Sequence, residues 1–196
     1  MEYAQHISSE EIEQLEVATF DGPIIVVDSE DNEFFEAIEY LEKQSVIGFD
    51  TETKPCFQAH MPRNKMALLQ LSGAEKAFIF RLHNLGLPKP LAKILADPKI
   101  LKIGAAVKED IRGLQGYNKF IAKGFVDLQS IVANYGILDK SVRKMAAIVL
   151  GIRVSKSQQL SNWEAPQLSG AQLKYAAIDA WVCQEIYKRL NKNINE

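Results

Sequence analysis

The segment Val46-Ile47-Gly48-Phe49-Asp50-Thr51-Glu52-Thr53 runs an apolar strand straight into two carboxylates. Packing gives no reason for acids at the end of a buried strand, because an unpaired buried charge is costly. Residues two apart on a strand share a face, so Asp50 and Glu52 project together from its carboxyl end, where open sheets place their sites. Two adjacent acids call for a counter-charge, and a divalent cation with oxygen ligands meets that need. Taken alone, the pair is also what an acidic turn after a strand looks like. Two further acids stand in unusual places. Asp110 opens a helical stretch just after the apolar run 100–106, where an acid also complements the helix dipole. Asp179 lies in mid-helix between Ala176-Ala177-Ile178 and Ala180-Trp181, where an unpaired acid is expensive. Tyr175 precedes it by one helical turn, so phenol and carboxylate share a face.

These residues must be positioned by an α/β arrangement. Ser8-Ser9-Glu10-Glu11 has the spacing of a capping box and predicts a short acidic helix near the start. A β-branched run at 24–27 predicts a strand, and Phe34, Ile38 and Leu41 recur at helical spacing before the strand at 45–51. The stretch 53–65, rich in proline and polar residues, reads as an exposed loop leaving directly from the acidic pair. Residues 66–72 and 77–82 flank Gly73-Ala74-Glu75-Lys76 and predict an antiparallel hairpin. A short helix at 90–96 and a strand at 100–106 follow, then helices at 108–116, 128–135 and 141–150, the last closed by Gly151. Ser169-Gly170-Ala171-Gln172 caps a long final helix whose stripe runs from Leu173 through Ala176, Ala180, Cys183 and Tyr187 to Leu190. Three strands, a hairpin and interleaved helices make a central mixed sheet flanked by helices.

The chain resembles the DEDD 3′ to 5′ exonucleases of the ribonuclease-H-like superfold, and within them the ribonuclease D and Werner-helicase exonuclease group. The first motif is matched by Phe49-Asp50-Thr51-Glu52-Thr53, the second by residues 102–110 ending in Asp110, and the third by residues 172–180 around Tyr175 and Asp179. Ala67-Leu68-Leu69-Gln70-Leu71 and the segment from Ser141 through Lys156 to Trp163 are also similar. Tyrosine at 175, with lysine at 174, marks the tyrosine subtype. The resemblance implies a metal-dependent exonuclease that releases nucleoside 5′-monophosphates with two divalent cations, Mg²⁺ or Mn²⁺. It implies that Asp50 bridges both ions, that Glu52 and Asp179 complete the first site, and that Asp110 holds the second through water. Tyr175 would then orient the attacking water. The expected partner is a single-stranded or frayed 3′ end of DNA or RNA. The first and third motifs look closer to the Werner-type members, which favours DNA. Asp127 matches a recurring acid of the group but reads here as a helix cap. Two other readings stay open: a degenerate nucleic-acid- or partner-binding module of the same fold, and a small-molecule nucleotide phosphodiesterase.

Charge is divided unevenly. Residues 1–99 carry 9 basic against 17 acidic side chains, and residues 100–196 carry 14 against 8, within a net charge of -2. A basic second half can meet a polyanion although the total does not demand one. Arg63 and Lys65 in the loop after Glu52, with Arg143, Lys144 and Lys156, are candidates for phosphate contacts, though such charges also simply solvate a surface. Phe57 is a candidate to stack on a base or to pack on the core. Trp163 and Trp181 read as core or rim residues, Cys183 as a small core residue, and His6, His60 and His83 as surface or loop residues. At 196 residues, of which 47% are hydrophobic, one substantial core is expected. The expected division is an extension at 1–22 with a short helix and a single exonuclease domain at 23–196. The start, Met1 to His6, lacks the pattern of a signal or transit peptide, and the apolar run Met145 to Ile152 is too short for a membrane span. With two cysteines of unpaired spacing, a cytoplasmic location is expected.

Overall fold

The computed structural model describes residues 2–56 and 64–192. Arg63, Phe57 and His60 therefore lie outside the described residues. The elements are α1 (Ser9–Glu13), β1 (Glu16–Val17), β2 (Ile24–Val27), α2 (Asn32–Glu42), β3 (Val46–Thr53), β4 (Met66–Ser72), β5 (Ala77–Arg81), α3 (Leu82–Leu85), α4 (Lys89–Ala96) and β6 (Leu101–Gly104). Then come α5 (Val107–Gln115), β7 (Phe125–Asp127), α6 (Leu128–Ile131), a 3-10 turn (Val132–Tyr135), α7 (Val142–Leu150), β8 (Ile152–Arg153) and α8 (Gly170–Lys192). No described helix is long and apolar enough to cross a membrane.

A mixed sheet in the order β2-β5-β4-β3-β6-β7 forms the centre. β3, β4 and β5 run antiparallel in succession, whereas β2 joins β5, and β6 and β7 join the far side of β3, in parallel. Alternation along the strands divides the side chains between two layers. Ile47, Phe49, Leu69, Leu71, Phe78 and Phe80 pack with α2 and α4, whose Phe34, Leu41, Leu91 and Leu95 are buried. On the other face Leu68 and Ile79 pack against Trp163 and Ala176, and Ile103 joins a cluster with Met145, Val182 and Ile186 between α7 and α8.

The local signals act as their chemistry predicts. Ser8 caps α1 in a full capping box with Glu11, Ser141 caps α7, and Gly151 closes α7 with a φ of 70°. Ser169 and Gln172 exchange backbone and side-chain hydrogen bonds at the start of α8. Two expectations need correction, and two further features had no signal in the sequence. β6 ends at Gly104, because Ala106 turns the chain into α5 with a φ of 56°. The helix expected over 128–135 divides into α6 and a tighter 3-10 turn. β7 is a sixth strand, three residues long and too short to carry a period. β1 and β8 form a separate two-stranded pair that binds the N-terminal segment to the body.

One contact sets the distance between the sheet and α8. Gly48 in β3 lies against Ala180, and a methyl group on Gly48 would overlap the Ala180 carbonyl. Gly170, at the first turn of α8, has open space where its Cβ would be. Gly48→Ala is therefore expected to destabilise the protein by about 1–3 kcal/mol. Gly170→Ala, its control, should be neutral or stabilising by about 0.4–1 kcal/mol. Denaturant unfolding of both variants measures the difference, and equal midpoints would contradict the close approach.

Candidate active site

Asp50 and Glu52 project from one face of β3, the face of Gly48, toward α8. Asp179 precedes Ala180 on α8, so the contact that demands a glycine at 48 also brings the third acid to the first two. One carboxylate oxygen from each of Asp50, Glu52 and Asp179 lies within 4.8 Å of the others. Among the described residues no lysine, arginine or histidine forms an ion pair with any of them. The group is consequently starved of positive charge. Burial, then Asp179, then Asp110 push the Asp50 carboxyl well above the carboxylate range. Burial, followed by the charges of Asp50, Asp179 and Asp110, pushes Glu52 up to about 9. Asp179 is also raised by burial, against the opposing hydrogen bond from Tyr175. Three converging hard oxygen donors without an internal counter-charge fit a divalent cation.

Asp110 stands apart from that triad. Its Oδ1 accepts a hydrogen bond of 2.6 Å from the Thr51 hydroxyl, on the strand between Asp50 and Glu52. Burial raises its pKa and the Thr51 bond opposes the rise. Its position depends on the turn before α5, where Ala106 adopts the left-handed conformation. Asp127 holds that turn: its Oδ1 accepts from the Ala106 N–H at 3.0 Å and from the Gln129 N–H at 3.0 Å. Asp127 is thus the cap of α6 and also a clamp on the approach to Asp110.

Tyr175 lies one turn before Asp179. Its ring packs on Trp163 with centroids 5.8 Å apart and planes inclined at 36°. The Trp163 segment is tied down by the Arg81 guanidinium, which donates to the carbonyls of Ala165 and, at 2.6 Å, of Pro166. Gln172 adds a hydrogen bond of 3.3 Å to the Asn162 carbonyl. Burial first, then Asp179, Glu52 and Asp50, raise the Tyr175 phenol, so it stays protonated and is a donor.

The basic candidates divide. Lys65 borders a cavity of about 690 Å³ that Thr53, Asn64, Asp110 and Tyr117 also line. Its ammonium lies 5.8 Å from the Tyr117 ring centroid. Arg143 and Lys156 line a separate cleft. Lys144 is tied to Asp139 at 2.9 Å, so it is committed to an ion pair. Thr51 and Arg153 were not apparent from sequence: the first lies inside the acidic motif but its partner is 59 residues away, and the second lies on a two-residue strand.

A mixed sheet thus presents two acids to a helix that carries a third, an acidic triad of the kind that could hold a divalent cation. Residues 24–195 match the model of the 3′-5′ exonuclease family, and the chain belongs to that family of hydrolases. It is 30% identical over 162 residues to DNA polymerase I of Aquifex aeolicus (strain VF5), a match covering 82% of this chain and 26% of that one. It is 26% identical over 176 residues to ribonuclease D of Gluconacetobacter diazotrophicus, covering 88% and 43% respectively. The solved EXO domain of Aedes aegypti Nibbler superposes with a TM-score of 0.81 at 25% identity, covering 91% of this chain and 93% of that domain. The architecture is the ribonuclease-H-like exonuclease fold. The chain spans about a quarter to under half of the length of these curated relatives.

The raised carboxyls fix the sign of a pH effect. A carboxyl that holds its proton more tightly when folded than when unfolded stabilises the fold at acid pH. That contribution is lost as pH climbs from its unfolded pKa, about 4, through its folded one, which for Glu52 is about 9. In EDTA the melting temperature is therefore expected to fall between pH 5 and about 9. Mn²⁺ or Mg²⁺ at a hundredfold excess over Kd adds about 2.7 kcal/mol, or about 5–10 °C. Scanning fluorimetry in EDTA from pH 5 to about 9 measures the first effect, and at pH 8 with and without the cation the second. A melting temperature unmoved by millimolar Mn²⁺ would count against the metal centre.

Proposed function

We propose that the protein is a 3′ to 5′ exonuclease that hydrolyses the last phosphodiester bond of a single-stranded or frayed nucleic-acid 3′ end, with DNA favoured. The observation that carries this reading is the convergence of Asp50, Glu52 and Asp179 with no ion-paired lysine, arginine or histidine among the described residues. Asp50, Glu52 and Asp179 would hold one Mg²⁺ or Mn²⁺, and Asp50 with Asp110 a second. Bound divalent cations supply an acidified water near neutral pH and neutralise charge on the scissile phosphate and on the leaving oxygen.

The chain's own residues supply position. Tyr175, kept protonated by its acidic surroundings and hydrogen-bonded to Asp179, orients the attacking water toward phosphorus. Trp163 and the Arg81 clamp hold the ring, and the Thr51 hydroxyl holds the Asp110 carboxylate. Water adds to phosphorus as the bond to the 3′ oxygen breaks. The oxygen takes up a proton, leaving a 3′ hydroxyl on the shortened strand and a free nucleoside 5′-monophosphate.

DNA is favoured by the likeness of the first and third motifs to Werner-type members and agrees with the DNA polymerase I relative. The ribonuclease D relative carries the second reading, RNA. A time course on matched 5′-labelled DNA and RNA single strands with Mn²⁺ tests both. A ladder shortening from the 3′ end, faster on DNA and abolished by EDTA and by Asp50→Ala, is expected. Tyr175→Phe is expected to lower kcat by about 100-fold, the scale of misplacing a reactant, with KM little changed. Intact strands of both sugars in the presence of Mn²⁺ would leave the fold serving as a binding module.

A further inference from the structure

A basic cleft lies beside the site, and its occupant is a side chain of the protein itself. Arg143 on α7 and Arg153 on β8 both pair with the carboxylate of Glu13, the last residue of α1, one guanidinium to each oxygen. The two arginine side chains are 18% and 30% exposed and Glu13 is 51% exposed, so the anion is at the solvent side of the pair. The Nε atoms of both arginines are buried without a hydrogen-bond partner among the described residues. One carboxylate leaves two guanidiniums with a net positive charge, and exposed Lys156 on the same wall adds another.

The cleft measures about 230 Å³, with Val154 and Ser155 completing its wall. Those two residues also line the smaller cleft that contains Tyr175 and Asp179. A continuous surface thus joins the acidic centre to the paired arginines. Two guanidiniums gripping the two oxygens of one anion is a geometry that suits a phosphodiester as well as a carboxylate. Only the Glu13 side chain has to move to release it. α1 stays docked through the buried Ile12 and the β1 to β8 pairing, and a partly exposed ion pair is a weak tether.

We propose that Arg143, Arg153 and Lys156 form a subsite for a backbone phosphate of a single-stranded nucleic acid, and that Glu13 fills it until a strand displaces it. The subsite extends the exonuclease reading: it receives the strand upstream of the 3′ end held at Tyr175. Fluorescence anisotropy in Mg²⁺, with a 5′-labelled single strand carrying non-hydrolysable 3′-terminal linkages, measures it without turnover. Glu13→Gln is expected to tighten binding about 3-fold or more, by removing a competing anion. Arg153→Gln and Lys156→Gln are each expected to weaken it about 3- to 10-fold and to reduce the salt slope by about 0.7. An unchanged Kd for Glu13→Gln beside a lowered melting temperature would make Glu13 a staple of the N-terminal segment and overturn the proposal. So would an unchanged Kd and salt slope for Lys156→Gln, an exposed residue in no ion pair among the described residues, or the absence of wild-type binding. Failure of the exonuclease reading shows separately, as unshortened hydrolysable strands in Mn²⁺.

Discussion

Negative charge held together by backbone is the constraint on which the rest of the structure depends. Asp50, Glu52 and Asp179 would separate if they were free to, yet β3 lies in mid-sheet and α8 is pressed against it at Gly48 and Ala180. Pairing with β6 at Val46 to Gly48 and with β4 along Asp50 and Glu52 keeps the strand from yielding. Burial first, and the mutual repulsion after it, are therefore expressed as raised pKa values instead of as movement. A cluster built this way is poised for a cation, because binding one removes a penalty already present in the fold.

The remaining parts of the site are held by clamps at second hand. Ala106 takes up a left-handed conformation that disfavours side chains, and Asp127 compensates it with a hydrogen bond while capping the next helix. The strain lies at the turn that aims Asp110. Trp163 and Arg81 serve Tyr175 in the same manner, fixing the ring through a loop that has no regular structure of its own. Even Lys102, wholly buried in β6, is a clamp: its ammonium donates to the carbonyls of Ile94, Asp97 and Ile100 and ties the end of α4 to the sheet.

Much of this was legible in the sequence because it is written in short periods. Asp50 and Glu52 are read from a strand's alternation, Tyr175 and Asp179 from a helical turn, and the helix starts from Ser8, Ser141 and Ser169. What escaped depends on chain distance. The Thr51 bond to Asp110 spans 59 residues and the Glu13 pairs span 130 and 140, separations at which no local pattern survives. β7 is too short to have a period, and Lys102 looks like any surface lysine until three carbonyls are found around it. Arg143 was legible as a basic residue near the groove, but its commitment to Glu13 and its partnership with Arg153 were not.

Proton release on metal binding tests the central claim most directly. Calorimetric titration of Mn²⁺ at pH 7 in two buffers of different ionisation enthalpy counts the protons displaced. If the three carboxylates form the metal centre, Mn²⁺ binds the wild type and releases roughly one proton or more, because Glu52 at least is still protonated at that pH. Asp179→Asn weakens that binding and changes the count. Binding with no proton released, or binding indifferent to Asp179→Asn, would contradict the account.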